Sequence, residues 1–268
     1  MTAIRVIPYS GWAELKRDLF IELYGDGLFR PGHYLFRGVG DANWSLQSAF
    51  DRRFAPVSAD RRMELWAELA DQWRQGCLDI GVASDTVRDE HKLWALGQHY
   101  GLPTRLLDWS TSPYVAAFFA FHEQLERFSE HFSQVAIWAL DLRHPVWSAG
   151  AGVDIVSTPA MQNIRLRNQG GKFTFVTAPF ASLEEFVHHA ASGTPSAPPP
   201  ARPRGPTAGL AGRWALTQCV LPATAAEHAL SDLDSMGINH YHLFPDLSGL
   251  AALATMRVTL AAATGLPT

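Results

Sequence analysis

The chain has 268 residues, enough for one large domain or two small ones. Its 22 Lys+Arg against 26 Asp+Glu give a formal net charge of −4, which excludes a protein that coats nucleic acid by bulk charge but leaves room for a local basic cleft. At 47% hydrophobic and 18% charged residues the chain forms a sizeable core and is not globally disordered, and its two distant cysteines, Cys77 and Cys219, exclude a disulfide framework and a cysteine-rich zinc site.

No run of the sequence approaches the ~20 apolar residues that span a bilayer. The opening stretch, MTAIRVIPYSGWAELKRDLF, carries neither a signal-peptide core nor a small-residue cleavage site. The expectation is a cytoplasmic protein with no membrane contact.

In chain order, Ser10 is placed to cap a helix over 12–24. Residues 33–37 (HYLFR) read as an aromatic strand that ends in a turn at Gly38. Met63, Trp66, Leu69, Ala70 and Trp73 recur at helical spacing, predicting a helix over 59–80 with one buried face. Residues 88–100 repeat that pattern, with Gly101 as the stop. The segment TRLLDW after Pro103 reads as a short strand. Ser112-Pro113 then opens a helix to about residue 125, apolar almost all round and therefore deeply buried. Strands follow at 134–142 and 172–178. Ser182 with Glu185 makes a capping box for a helix to about residue 190.

Residues 192–209 hold six of the 17 prolines and almost no apolar side chain but alanine. They cannot bury enough surface to offset their ordering entropy, so they read as an exposed, partly polyproline insertion within one domain spanning 1–268. A strand over 214–221 comes next, then a helix capped by Thr224 and Glu227 and ending at Gly237, then an apolar helical stretch over 243–262. Helices cluster early and late with strands between. The pattern is α+β: a single domain with a small mixed or antiparallel, split sheet surrounded by helices.

Three segments carry the polar chemistry. In Phe36-Arg37-Gly38 an arginine ends an apolar strand, where its guanidinium either forks onto a phosphate or carboxylate or pairs with a core acid. The adjacent glycine lets a ligand approach the backbone. The second segment, 98–112, is dense in polar groups. Ser110, Thr111 and Ser112 lie at a strand-to-helix turn able to hold ribose hydroxyls or an anion, and Ser112 alone would also serve as a helix cap. Asp108 is either a site acid or the partner of Arg37 or Arg105, and His99 and Arg105 in the same stretch are candidates to bind the cofactor. The third segment, 165–173, is basic through Arg165, Arg167 and Lys172, and flexible at Gly170 and Gly171; it is either an anion-binding loop or a solvated turn. There is no Walker A, GxGxxG, HExxH or GxSxG motif, and no metal is expected.

The combination of FRG at 36–38, QHYGLPTRLLDWSTSPYVAAFFA at 98–120, NQGGKF at 168–173 and LFPDLSGL at 243–250 resembles the FRG domain family, from about Trp12 onward. That resemblance implies a mostly bacterial and viral group of largely undefined activity. A more distant likeness is to the arginine-type ADP-ribosyltransferases: an aromatic-Arg-Gly strand, then a Ser-Thr-Ser strand-to-helix element, then a glutamate leading into a later strand. By that likeness the core would be ADP-ribosyltransferase-like and the substrate NAD. Arg37 would bind its phosphate or ribose, the Gly38 backbone its nicotinamide amide, and Ser110 or Ser112 its ribose. The departure is Gln169 where the likeness calls for glutamate. Glutamine keeps the hydrogen bonds but not the charge, a change worth ~10²–10³ in rate, unless Asp108 supplies the carboxylate.

Three readings follow from this. The first is an NAD-cleaving transferase or glycohydrolase acting on a protein or nucleic-acid acceptor. The second is a non-catalytic nucleotide- or nucleic-acid-binding module. The third is a toxin or phage-defence component with the same chemistry.

Overall fold

The computed structural model describes residues 3–126, 133–148, 150, 152–157, 171–193 and 213–264. Gln169, Arg165, Arg167 and all but the first two residues of the proline-rich stretch lie outside them.

Seven strands form one mixed sheet: β1 (Ile4–Pro8), β2 (Tyr34–Val39), β3 (Leu106–Ser110), β4 (Gln134–Asp141), β5 (Val153–Val156), β6 (Gly171–Val176) and β7 (Leu216–Pro222). Their order is β1-β7-β4-β2-β3-β6-β5. Only β1 and β7 run parallel, and every other pair is antiparallel. The sheet is larger than expected. The edge strands β1 and β5 escaped the sequence reading because five and four residues are too few to show a period.

Helices flank the sheet: α1 (Trp12–Tyr24), α2 (Ala49–Arg53), α3 (Ala59–Asp79), α4 (Ser84–Arg88), α5 (Glu90–His99), α6 (Pro113–Glu126), α7 (Leu183–Gly193), α8 (Ala226–Ser235), α9 (His240–Leu243) and α10 (Leu247–Thr264). Among the described residues no helix is long and apolar enough to cross a membrane.

Alternation along the strands divides the core. Phe36, Ile137 and Cys219 pack with Trp12, Phe118 and Leu230 of α1, α6 and α8. Leu35, Trp138 and Leu216 turn the other way, toward Leu183 and Phe186 of α7. A third cluster joins Leu106, Phe173 and Phe175 to Phe50, Trp66 and Trp94 of α2, α3 and α5. Phe36 faces Ser110 across β2 and β3, and residues two apart share a face, so Leu106 lies on the same side as Phe36. Two helix groups thus cover one face of the sheet side by side. The seam between them runs above β2 and β3.

Several local expectations are corrected. Ser10 does not cap α1; its backbone and side chain donate instead to Glu14, 2.5 and 2.6 Å away. The helix expected over 88–100 is α5, starting two residues later because Asp89 takes extended backbone and caps it by accepting from the Lys92 amide, with the separate short α4 before it. Thr224 and Glu227 form no capping box. A turn of 3₁₀ helix over Ala223–Ala225 leads directly into α8 instead. The Ser182 cap does form, accepting from the Glu185 amide at 3.2 Å while Glu185 reaches back to the Ala181 amide at 2.7 Å.

Candidate functional site

Strands β2 and β3 are neighbours through one residue pair, Phe36 opposite Ser110. On its outer edge β2 pairs with β4 along its whole length, and β3 pairs with β6 along its whole length. Each strand is therefore held from outside while the two part on the inside. Arg37 and Asp108 stand where they separate. Arg37 Nη1 donates across the opening to the Asp108 carbonyl at 2.7 Å, and the Asp108 carboxylate lies 3.8 Å from the same nitrogen.

Gly38 fixes the other wall. A Cβ at this position would lie 1.9 Å from the Ala116 carbonyl oxygen and 2.6 Å from the Ala120 nitrogen of α6. The glycine is thus required by close packing of a helix on a strand, and the small residues in YVAAFFA answer it. The expected use of Gly38, to admit a ligand to the backbone, yields to this one on the side facing α6. Ser112 starts α6, accepting from the Val115 amide at 3.4 Å, and Pro113 occupies the first helical position.

A cleft of about 470 Å³ opens at the seam. That is within the usual range for small-molecule sites. It brings together four of the residues singled out from the sequence, Arg37, Gly38, Asp108 and Ser110. Its remaining walls include Trp109, His122 and Glu123 on α6, and Phe244 just after α9. Burial lowers the Arg37 guanidinium's pKa, opposed by Asp108 and Glu123. Loss of hydration through burial raises the Asp108 carboxyl above its ordinary range, against the pull of Arg37 and of a 2.6 Å hydrogen bond from Gln98 Nε2. The Asp108 side chain nevertheless keeps 61% of its surface open, so the carboxylate faces solvent from the bottom of a hollow. Thr104 Oγ1 donates to Gln98 Oε1 at 2.7 Å and so orients the amide. His122 is pushed down to about 4 by burial, stacked on Phe118 and 3.0 Å from the His240 ring.

Other expected site residues lie elsewhere. Arg105 is fully buried, its guanidinium within 3.3 Å of Asp51 and donating to the carbonyls of Ala178 and Phe180 at 3.0 and 2.9 Å. It is a structural ion pair: Asp51 also meets Arg62 at 3.4 Å, and Ser48 Oγ donates to it at 2.6 Å. Arg105 therefore does not contact a ligand in the cleft, and its acid is Asp51 rather than Asp108. Thr111 and Ser112 line a different hollow, beside Phe20 and Tyr114, because the chain turns away at the end of β3. Ser110 Oγ accepts the Ser112 amide at 3.0 Å, which ties that turn. His99 is exposed against the edge of Tyr100 and does not line the cleft. Gln169 lies outside the described residues, but the strand it leads into begins at Gly171, the register partner of Ser110. His122, Glu123 and Phe244 were missed. The first two sit in a helix that reads as wholly apolar until its last turns, and Phe244 comes from the far end of the chain.

The family-model comparison matches the stretch that builds this cleft. The family model of the FRG domain matches residues 32–128. The matched stretch runs from β2 through α6 and contains Arg37, Gly38, Asp108, Ser110, His122 and Glu123, every charged residue of the cleft. It covers less than half of the chain and stops before the NQGGKF and LFPDLSGL segments, so the match is shorter than the expected one. No curated protein and no solved structure matches the chain.

Proposed function

We propose that the FRG domain cleft binds NAD and breaks its nicotinamide–ribose bond, transferring ADP-ribose to an acceptor or to water. The observation that carries this reading is the meeting of Arg37, Asp108 and Ser110 in one hollow where β2 and β3 part. Arg37 and Ser110 are the residue types, in the chain order, that the likeness to arginine-type ADP-ribosyltransferases calls for; its third residue, a glutamate leading into a later strand, is replaced by Gln169, and Asp108 stands in as the acid.

Arg37 takes the anionic pyrophosphate or the adjacent ribose. Its Nη1 is already held by a main-chain carbonyl, so the guanidinium is oriented before ligand arrives. Its Nε is buried and has no hydrogen-bond partner among the described residues, a donor that a phosphate or ribose oxygen would satisfy. As the C1′–N bond breaks, its electron pair leaves with nicotinamide and positive charge develops on the ribose. A carboxylate near that carbon stabilises the charge. Asp108 is the acid placed for this, and Glu123 flanks Arg37 from the opposite wall. Trp109, Phe119 and Phe244 give the cleft apolar surface for a nicotinamide or adenine ring.

Nicotinamide release, followed by chromatography with Arg37→Ala and Asp108→Asn as controls, tests the reading. Release lost in Arg37→Ala and lowered on the order of 100-fold in Asp108→Asn is expected. Binding of NAD without release would favour the nucleotide-binding module instead, as the replacement of glutamate by Gln169 does. Absence of both would exclude NAD as the ligand.

A further inference from the structure

Arg37 is shared between the cleft and its neighbouring hollows. Two further hollows, of about 520 and 390 Å³, both take in Arg37, Gln47 and Arg52. The first also reaches Trp44 and Glu123, and the second Arg53, Gln98 and Asp108. Three guanidiniums therefore line two adjoining hollows in a chain of net charge −4.

The acids of the groove, Asp108 and Glu123, sit beside Arg37. Arg52 and Arg53 form no ion pair among the described residues, although both are exposed. Arg52 is nonetheless placed: its Nη1 donates to the Gln47 carbonyl at 2.6 Å, and α2 below it is capped by Ser48. Two arginines at a groove without a carboxylate partner, one of them held, suit phosphate groups spaced along a chain. One aromatic side chain lines the groove and another stands beside it in the chain. Trp44 lines the first hollow. Tyr100, 73% exposed, adjoins Gly101 of the second, with the His99 ring 5.1 Å away at its edge. A cationic groove with aromatic faces along it is the arrangement that binds single-stranded nucleic acid, guanidiniums following the backbone and rings stacking on bases.

We propose that this groove binds a single-stranded nucleic acid. The binding stands on the groove alone; that the strand is the acceptor of ADP-ribose rests on the NAD reading above.

Fluorescence anisotropy of a labelled single-stranded DNA or RNA oligonucleotide, titrated with the full chain, tests it. Binding is expected at about 50 mM salt, weakening by about tenfold or more at about 200 mM as counterions are released. The double variant Arg52→Glu/Arg53→Glu is expected to weaken it at least about tenfold, and Tyr100→Ala by about fivefold to a hundredfold. Both variants are expected to keep a cooperative melting transition, and Tyr100→Ala, which does not line the cleft, is expected to keep the NAD affinity measured by calorimetry, which separates this groove from the cleft. Three results overturn the proposal: no anisotropy change at about 100 µM protein in about 50 mM salt, unchanged affinity in the double arginine variant, or a phosphopeptide of equal charge binding as tightly as the oligonucleotide. Oligonucleotide binding in a protein that fails to bind NAD would leave the groove assigned and remove only the role of the strand as acceptor.

Discussion

Arg37 is bound to the main chain of Asp108 rather than to its side chain: Nη1 lies 2.7 Å from the carbonyl oxygen and 3.8 Å from the nearer carboxylate oxygen. The guanidinium thus bridges two strands at the point where their ladder stops after Phe36 and Ser110. The carboxylate is left facing the cleft, steadied by Gln98. The two partners of one ion pair thereby have separable roles, one holding the opening and one facing what enters it.

Asp108→Asn keeps the carbonyl that holds Arg37 and an oxygen for Gln98 to reach. Its stability in urea is expected to stay within about 0.5 kcal/mol of the parent, as for a solvent-facing group with one long ionic contact. Nicotinamide release is expected to fall on the order of 100-fold. Because the Asp108 pKa is raised, the acid limb of the rate profile belongs above the ordinary carboxylate range, and it should disappear in the variant. A large loss of stability with an unchanged rate would reverse the assignment.

Gly38→Ala forces a methyl group into the α6 backbone, at 1.9 Å from a carbonyl oxygen that no side-chain rotation can move. The expected cost is about 3 kcal/mol or more. Urea unfolding measures it, and a change below about 1 kcal/mol would mean that α6 and β2 are not packed this closely.

Asp51→Ala leaves Arg105 and Arg62 buried without their shared acid. Removing one member of a buried ion pair costs about 3–5 kcal/mol. Loss of melting temperature is the expected signature, with NAD affinity retained in whatever fraction remains folded. Loss of affinity at unchanged stability would return Arg105 to the ligand site.

His122 titrates near 4 in the folded chain against 6.5 when unfolded. The unfolded state therefore takes up a proton first, and this contribution to stability is full above pH 6.5 and declines as pH falls toward 4. The loss amounts to about 1.4 kcal/mol per pH unit, roughly 3 kcal/mol over the window. His33 and His144 are also lowered by burial and add the same sign, so the informative quantity is the difference between the parent and His122→Asn. Melting curves at pH 4.5 to 7 are expected to converge with acid. Parallel curves would show that His122 keeps its ordinary affinity for protons.

The sequence made the centre of the fold readable and left its edges and its helical acids obscure. β2, β3 and α6 announce themselves because the aromatic strand, the Ser-Pro start and the apolar helix are each local signals. Arg37, Asp108 and Ser110 could be singled out because polar groups interrupt that apolar stretch. Arg105 belongs to the same stretch but is claimed by Asp51, 54 residues earlier, through a long-range pairing that no local pattern displays. Glu123 and His122 belong to the last turns of a buried helix, and only the packing of α6 against Gly38 turns them into the cleft. Thr111 and Ser112 stood next to a true cleft residue in sequence, but one turn of chain carries them to another surface.

The most direct measurement is a calorimetric titration of the full chain with NAD, set beside Arg37→Ala and, to guard against a folding defect, Arg37→Lys. One NAD bound per chain is expected, lost in the alanine variant and weakened in the lysine variant, both still folded by their melting curves. No heat from the parent chain, or equal affinity in all three proteins, would contradict the assignment of the opening between β2 and β3 as a dinucleotide site.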